Sequence, residues 1–246
     1  MDGPLTLSLV IPARNEEASL ETTVTELRNV LSAERIPAEI LIVDDHSTDE
    51  TPRIAQALAE RFSDVRWLRN ERPGGFGNAV AAGLDDFRGD AVCVVMADAS
   101  DDPRDVVTYY RKLGEGYECV FGSRFIRGAR VGGYPLHKLI LNRVANAFVR
   151  VLFRLDLNDT TNAFKCYRRE VIAGVGPLLS RHFNLTVELP LKAIVRGYRY
   201  AIVPICWRGR SGGVSKLKIK EMGSRYLFIV LYVFLEKVLS RGDYRR

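Results

Sequence analysis

Short apolar runs alternate with amphipathic stretches through the first half of the chain. The runs Leu5–Ile11, Glu39–Val43, Val65–Leu68 and Ala91–Met96 have the length and β-branched content of buried strands. Each is followed by a segment with helical spacing of apolar residues, and these segments are Glu17–Leu31, a helix that starts at Thr51-Pro52, Asn78–Phe87 and Pro103–Leu113. Apolar strands that alternate with helices predict an α/β fold with a parallel sheet covered on both faces.

The second half of the chain is less regular. Cys119–Gly122, Thr161–Tyr167 and Tyr200–Pro204 predict further strands, and Glu188–Arg196 predicts a helix. A long helix is predicted over Pro135–Phe153, with one apolar face made of Ile140, Val144, Phe148 and Val151. From Leu217 onward the chain is helical and very apolar. The pattern favours one domain with a C-terminal appendage, divided as residues 1–215 and 216–246.

Composition limits the size of the fold and the kinds of partner that the protein can have. The chain has 246 residues and 47% apolar content, enough for the core of one full-sized α/β domain. A net charge of +6 favours anionic partners such as phosphates, nucleic acid or a membrane surface. The four cysteines are dispersed without a CxxC pair, which predicts buried thiols in a reducing cytoplasm. The acidic start does not resemble a signal peptide, and the longest apolar run, Tyr226–Leu235, is too short for a transmembrane helix.

Carboxylates follow two of the predicted strands directly. In an open parallel sheet, ligands bind at the carboxyl ends of the strands. Asp44 and Asp45 follow the second strand, and Asp98, Asp101 and Asp102 follow the fourth. Three acids this close repel one another unless a cation lies among them, and Mg²⁺ or Mn²⁺ prefers oxygen ligands. The second cluster is therefore the candidate metal site.

Helix capping is the competing explanation for both acidic segments. Ser47 with Glu50 three residues later matches a capping box, although this leaves the paired acids at the strand end unexplained. Asp101 and Asp102 fit equally well as caps of the helix that follows them. Asp98 lies at the strand tip, where metal binding is the better explanation.

Two loops have the composition of phosphate-binding segments. Gly74–Gly77 lies between a strand and a helix, where backbone N–H groups can approach a phosphate, although a plain turn explains it equally well. Arg210–Lys216 combines glycine and serine with an arginine and a lysine that can clamp a phosphate. Aromatic residues are not interleaved with this basic segment, and we expect no nucleic acid partner.

Taken in order, these segments resemble glycosyltransferase family 2, in the branch of dolichyl-phosphate mannose synthase and its bacterial polyprenyl-phosphate relatives. The residues that carry the resemblance are Ser8–Glu17, Val43–Thr51, Gly122–Arg124, Asp159–Lys165 and Arg210–Lys216. The resemblance implies a GT-A fold, which is a Rossmann-like nucleotide-sugar-binding fold with a mostly parallel central sheet. It further implies a single-step, inverting transfer of mannose, glucose or N-acetylhexosamine from a GDP- or UDP-linked sugar to polyprenyl phosphate, with Mg²⁺ or Mn²⁺ as cofactor.

The resemblance also implies roles for individual residues. The nucleotide sugar would be held by Pro12, Ala13, Arg14, Glu16, Asp44, Asp45 and Asp98. The diphosphate or acceptor phosphate would be bound by Arg124, Lys138, Asn142, Arg210 and Lys216, with Lys138 and Asn142 standing where the branch more often has Arg and Ser. Asp98, Arg124 and Asp159 would serve the reaction itself, Asp159 by orienting the acceptor or the sugar.

One departure from the family pattern concerns the metal. The family usually has Met-Asp-Ala-Asp, whereas this chain has Met96-Ala97-Asp98-Ala99, so the first acid is missing. We expect Asp101 or Asp102 to supply the lost oxygen ligand, directly or through water. The missing acid also keeps open a different function, that of a non-catalytic nucleotide-sugar-binding protein.

The prenyl tail of such an acceptor stays in lipid, so the enzyme must reach the membrane. Tyr226–Leu239 is apolar nearly all round and follows the basic segment Lys216–Arg225, which predicts peripheral attachment on the cytoplasmic face. The alternative is a helix buried against the domain or against a second copy in a homodimer. A family 2 enzyme with a soluble or protein acceptor is the other functional alternative.

Overall fold

A computed structural model of the protein describes residues 4–209 and 219–245. Strands and helices alternate in the first half as β1 (Leu7–Ala13), α1 (Leu20–Ala33), β2 (Ala38–Asp44), α2 (Thr51–Arg61), β3 (Val65–Arg69), α3 (Phe76–Asp86), β4 (Ala91–Val94) and α4 (Pro103–Gly114). The second half forms β5 (Cys119–Ser123), β6 (Arg130–Gly132), α5 (Leu136–Phe153), β7 (Lys165–Arg168), α6 (Arg169–Val175), α7 (Leu185–Val195), β8 (Tyr200–Pro204), β9 (Cys206–Arg208) and α8 (Ile219–Leu239).

The described residues contain a central sheet of seven strands in the order β3-β2-β1-β4-β7-β5-β8. All neighbouring pairs are parallel except those of β7, which runs antiparallel to both β4 and β5. The short strands β6 and β9 form a separate parallel pair. The predicted α/β fold with a mostly parallel sheet is confirmed.

The core lies on both faces of this sheet. Every residue of β1 is buried, because successive side chains point to opposite faces and both faces are covered. Leu7, Leu9 and Ile11 pack with apolar residues of α1, α2 and α4, whereas Val10 packs on the other side with residues of α3, α5, α7 and α8. This explains why the strand is continuously apolar instead of alternating.

The start of α2 is set by contacts with a distant loop instead of by the predicted capping box. The helix begins at Thr51 with Glu50 as its N-cap, and the side chain of Glu50 does not cap it. Asp49 Oδ1 accepts a hydrogen bond from the backbone N–H of Thr51 at 3.0 Å. Ser47 Oγ accepts a hydrogen bond from the backbone N–H of Asn15 at 3.0 Å, and the N–H of Thr48 donates to Asn15 Oδ1 at 2.8 Å. The capping-box prediction is therefore wrong, and these polar groups join the loops that follow β1 and β2.

Helices α5 and α8 pack on the domain with one side and leave apolar side chains exposed on the other. On α8, Ile229, Val230 and Val233 are buried in the core, and Glu236 forms a buried ion pair with Arg196 of α7 at 2.8 Å. The four residues predicted to share one apolar face of α5, Ile140, Val144, Phe148 and Val151, are all exposed. The exposed apolar residues of the two helices are Leu136, Ile140, Leu141, Val144, Phe148 and Val151 on α5, and Leu227, Phe228, Leu231, Tyr232, Leu235, Val238 and Leu239 on α8. We call these thirteen residues the apolar face.

The length and hydropathy of a helix decide whether it could cross a bilayer. Among residues 4–209 and 219–245, no helix combines the length and apolar character that crossing a bilayer requires.

Candidate active site

A cleft of about 730 Å³ opens at the carboxyl ends of the strands. Its walls come from the loops after β1, β2, β4 and β5 and from the N-terminal parts of α5 and α8, as expected for a ligand site in an open α/β sheet. The structure brings ten of the predicted site residues to this cleft, namely Pro12, Ala13, Arg14, Glu16, Asp45, Asp98, Asp101, Arg124, Lys138 and Asn142. Two others, Arg210 and Lys216, lie outside the described residues.

Asp45 fixes the glycine-rich loop at one end of the cleft. Its carboxylate accepts hydrogen bonds from the backbone N–H of Gly75 at 3.0 Å and from Asn70 Nδ2 at 2.8 Å, and Arg14 Nη1 lies 3.9 Å away. A Cβ atom on Gly75 would lie 2.5 Å from the carbonyl oxygen of Arg181, so the close approach requires glycine. Since the N–H of Gly75 already has an acceptor, the loop is best described as a turn that lines the cleft.

Asp44 is not among the residues that line the cleft. It is buried, and its Oδ1 accepts a hydrogen bond from the backbone N–H of Ser47 at 3.2 Å. Of the two acids after β2, Asp45 is therefore the one that reaches the cleft, and a direct nucleoside contact by Asp44 stays a prediction.

The three acids that follow β4 have different surroundings. Asp102 is the N-cap of α4, where its carboxylate accepts from the backbone N–H of Arg104 at 3.0 Å and pairs with that residue's guanidinium. Asp98 and Asp101 line the cleft. Asp101 is buried and accepts from the backbone N–H of Met96 at 3.2 Å. The geometry thus separates a capping acid, Asp102, from two acids that face the ligand space.

Burial, and then the neighbouring negative charge of Asp98, raise the pKa of Asp101 to about 7. A carboxyl group whose ionisation is disfavoured by burial and by a neighbouring acid is stabilised in its charged form by a cation. Mg²⁺ is commonly held by one or two carboxylates together with substrate phosphates and water. Over residues 4–209 and 219–245, no group of three or more His, Cys, Asp or Glu side chains is placed to hold a metal ion. The two carboxylates therefore fit a metal that a bound diphosphate helps to hold.

Arg124 is held in a fixed orientation at the wall of the cleft. Its Nε and Nη2 donate to the two carboxylate oxygens of Asp159, both at 2.8 Å, and its backbone N–H donates to the same residue at 3.0 Å. Only 8% of the Arg124 side chain and none of the Asp159 side chain is exposed. The guanidinium also lies 5.4 Å from the ring centroid of Tyr134 and 5.7 Å from that of Trp207. Asp159 thus orients Arg124 and is not itself among the cleft-lining residues.

Helix α5 brings Lys138 and Asn142 to the cleft and is bonded to the loop that follows it. Asn142 Nδ2 donates to Thr161 Oγ1 at 2.7 Å, and Asn146 Nδ2 donates to the same oxygen at 3.1 Å. Asn146 Oδ1 in turn accepts from the backbone N–H of Thr160 at 2.6 Å. The conformation of residues 159–162 and the position of α5 are therefore coupled.

Sequence reasoning missed the aromatic lining of the cleft. Tyr134 and Trp207 pack against each other with ring centroids 5.1 Å apart, and Phe183 stacks on Phe76 at 4.4 Å. Tyr226 of α8 donates from its hydroxyl to the carbonyl oxygen of Phe183 at 3.0 Å. Tyr134 and Phe183 lie in loops, Trp207 lies in the unpredicted strand β9, and Phe76 is the first residue of α3. Tyr226 lies in a helix without periodicity, so neither spacing nor motif singled these residues out.

Comparisons with known proteins bear on the family. The sequence matches glycosyl transferase family 2 over residues 8–176. It is 31% identical over 215 residues to a polyprenol monophosphomannose synthase of Mycolicibacterium smegmatis, covering 85% of this chain and 80% of that protein. It is 28% identical to a dolichol-phosphate mannosyltransferase of Pyrococcus furiosus, covering 88% of this chain and 60% of that longer relative.

Solved structures agree on the fold. The crystal structure of glucosyl-3-phosphoglycerate synthase from Mycobacterium tuberculosis, in complex with Mn²⁺, uridine diphosphate and phosphoglyceric acid, superposes with a TM-score of 0.70. The alignment covers 95% of this chain and 78% of that one at 22% identity, a level that supports the shared fold alone. With the family match spanning well over half of the sequence, the chain belongs to glycosyl transferase family 2.

Proposed function

We propose that this protein transfers a hexosyl group from a nucleoside-diphosphate sugar to polyprenyl phosphate held in a membrane. The observation that carries the proposal is the continuity of the cleft. It runs from Asp45 and Asp98 at the strand ends to Lys138 of α5 and Tyr226 of α8. The same two helices bear the apolar face, so one opening combines a phosphate-binding wall with an apolar exterior. The names of the two mannosyl-transferring relatives support the same acceptor class.

The reaction is a displacement at the anomeric carbon of the sugar. A phosphate oxygen of the acceptor forms the new bond to that carbon, and the bond to the nucleoside diphosphate breaks. A phosphate monoester with a second pKa of about 6 is mostly dianionic at neutral pH, so the attacking oxygen needs no strong protein base. Arg124 and Lys138 supply positive charge where phosphate oxygens gather, and Arg124 is already oriented by Asp159.

Asp98 and Asp101 are the residues that would hold the divalent cation. When bound, Mg²⁺ or Mn²⁺ neutralises charge on the leaving diphosphate. Asp45 and the Gly74–Gly75 turn also line the cleft, and the nucleoside is proposed to lie against them. The sugar donor and the choice between GDP and UDP are left to the assay below.

The apolar face is proposed to rest on the bilayer surface. Helices of this kind insert into the boundary between headgroups and acyl chains, and nearby cations strengthen their attraction to anionic lipid. Arg150, Arg154, Lys237 and Arg241 are exposed on or beside α5 and α8. In this proposal the inner side of α8 packs on the core and its outer side contacts the membrane. Residues 216–246 would then be a docking segment joined to the catalytic domain 1–215.

Attachment on the cytoplasmic face is part of the same proposal. Cys93, Cys119, Cys166 and Cys206 are all free thiols, which suits a reducing compartment. A homodimer through the apolar face is the competing arrangement, and the membrane-binding experiment in the Discussion separates the two.

The proposal is tested by incubating the protein and Mn²⁺ or Mg²⁺ with a panel of GDP- and UDP-linked hexoses and a short-chain polyprenyl phosphate. We expect one donor to give a sugar-phosphate-prenyl product detected by mass spectrometry. The matched prenyl alcohol, which lacks the phosphate nucleophile, should give none. Equal transfer to the alcohol, or no transfer from any donor, would contradict the proposal.

Changing Arg124 to lysine should lower transfer by about tenfold or more, because a lysine offers a point charge instead of a planar fork and cannot span both oxygens of Asp159. The measurement is the steady-state rate with prenyl phosphate. Arg143→Lys is the matched control, since Arg143 stacks on Phe125 at 4.4 Å but does not line the cleft. Equal transfer rates for both variants and the parent would show that Arg124 does not bind phosphate.

A further inference from the structure

Lys165, at the start of β7, is a buried cation to which the proposed reaction assigns no role. Its side chain is 1% exposed. The ammonium group donates to three main-chain carbonyl oxygens, those of Thr160 at 2.9 Å, Thr186 at 3.3 Å and Asn162. An ammonium has three N–H donors, so these acceptors match its full capacity.

Such a group is not explained by stability alone. Burying an ammonium is unfavourable, and an apolar side chain of similar volume would avoid that cost but would leave three carbonyl oxygens without these donors. Burial lowers the pKa of Lys165 to about 7, in line with that cost. The lysine holds three specific carbonyl groups together by hydrogen bonds, and an apolar residue would not.

Two of those carbonyl groups, of Thr160 and Asn162, belong to the segment that we propose positions the acceptor side of the cleft. Residues 159–163 include Asp159, which accepts from two guanidinium nitrogens of Arg124, and Thr161, which accepts from Asn142. The third carbonyl, of Thr186, connects this loop to α7. Asn162, Ala163 and Thr186 themselves line the cleft.

We infer that Lys165 is a positioning residue for the acceptor phosphate, which acts by fixing loop 159–163 and, through it, the orientations of Arg124 and Asn142. The inference rests on the proposed function, because it assumes that these two residues meet the acceptor. The donor side is held by separate bonds, those of Asp45 with Gly75 and Asn70. Lys165 should therefore influence the acceptor more than the donor.

The test is Lys165→Met, which keeps an unbranched side chain of similar length and removes the three donors. We expect the KM for short-chain polyprenyl phosphate to rise about tenfold, since small displacements of positioning groups have large kinetic effects. The KM for the donor identified by the panel, and the affinity for its nucleoside diphosphate, should stay within about twofold of the parent.

Arg168→Met is the matched control. Arg168 lies at the other end of the same strand and likewise donates to main-chain carbonyls, those of Tyr117 at 3.2 Å and Leu113 at 2.7 Å. It should lower thermal stability without changing the ratio of the two KM values. If Lys165 only stabilised the fold, both variants would lower thermal stability and neither would change the ratio of the two KM values.

The inference is overturned if Lys165→Met leaves the acceptor KM unchanged, or raises donor and acceptor KM equally. If that variant does not fold, Thr161→Val tests the same loop, because it removes the half-buried hydroxyl that accepts from Asn142 and Asn146. An unchanged acceptor KM, or an equal rise of both KM values, would again overturn the inference. A parent protein that transfers no sugar to polyprenyl phosphate would refute the proposed function instead. A parent that transfers normally, with unshifted acceptor KM in the variant, refutes only the role of Lys165.

Discussion

Replacing Asp98 or Asp101 with asparagine should lower the transfer rate by about 100-fold or more, because each change removes one of the two cleft-lining carboxylates that we propose hold the metal beside the diphosphate. A neutral amide is a weaker ligand for a hard divalent cation, and it no longer balances the charge of that cation. The fold should persist, since Asp101→Asn also removes a buried carboxyl whose pKa is raised first by burial and then by the negative charge of Asp98. The measurement is the transfer rate across a titration of Mn²⁺ and of Mg²⁺.

Asp102→Asn is the matched control for these two variants. Asp102 caps α4 and pairs with Arg104, and asparagine is itself a good N-cap, so the free energy of unfolding should change by less than about 1 kcal/mol. Transfer by this variant should stay near the parent rate. Full parent activity in excess EDTA would contradict the metal assignment, as would equal small losses in all three variants.

Introducing two glutamates on the outer side of α8, as Leu227→Glu/Leu235→Glu, should abolish most binding to anionic liposomes. The two side chains are 50% and 52% exposed, so the change removes apolar contact with lipid and adds negative charge without entering the core. Losing even half of the burial energy of two leucines amounts to about 2–3 kcal/mol, or about 100-fold in affinity. Liposome flotation measures the binding.

Enzyme assays with the same variant separate docking from catalysis. Transfer to long-chain polyprenyl phosphate in liposomes should fall with binding, whereas transfer to a short water-soluble prenyl phosphate should be unchanged. Asn29→Glu/Ala57→Glu adds two exposed glutamates on α1 and α2, which cover the opposite face of the sheet, and should bind liposomes nearly as the parent does. Normal flotation of the α8 variant would rule out the apolar face as the docking surface.

These point substitutions are preferable to deletion of the C-terminal helix. Removing α8 would uncover the core residues Ile229, Val230 and Val233 and leave Arg196 without Glu236. Loss of one partner from a buried ion pair costs about 3–5 kcal/mol, so a truncated protein would fail for reasons unrelated to lipid.

The oligomeric state of the parent in the absence of lipid decides between a membrane surface and a dimer interface. A stable dimer that becomes monomeric in Leu227→Glu/Leu235→Glu and never binds liposomes would favour the homodimer. A parent protein that floats with liposomes supports the membrane arrangement.

The sequence predicted the sheet well where a single physical signal dominated. The apolar runs of β1 and β2 are buried on both faces, and that burial is what makes them continuous. The direction of β7 was not predictable, because parallel and antiparallel strands can carry the same apolar pattern. Ser47 was misassigned because its local pattern fits a cap, while a contact with Asn15, distant in sequence, determines its hydrogen bonding.

The candidate site was predictable in part for a similar reason. Topology places the residues after β2 and β4 at one edge of the sheet, so Asp45 and Asp98 reach a common cleft. The conformation of the local turn decides which acid of each cluster lines the cleft, and sequence does not give that conformation. The structure was therefore needed to distinguish Asp101, which lines the cleft, from Asp102, which caps α4. For α8, a helix that is apolar all round gives no periodic signal to distinguish its core side from its exposed side.

The acceptor is the central claim, and a competition between two phosphate acceptors tests it most directly. The fold is shared with an enzyme crystallised with phosphoglyceric acid, whereas two relatives in sequence carry names of prenyl-phosphate mannosyl transfer. With the donor that the panel identifies, equal concentrations of short-chain polyprenyl phosphate and phosphoglyceric acid should yield labelled sugar in the prenyl product and almost none on phosphoglyceric acid. Transfer predominantly to phosphoglyceric acid would contradict the account.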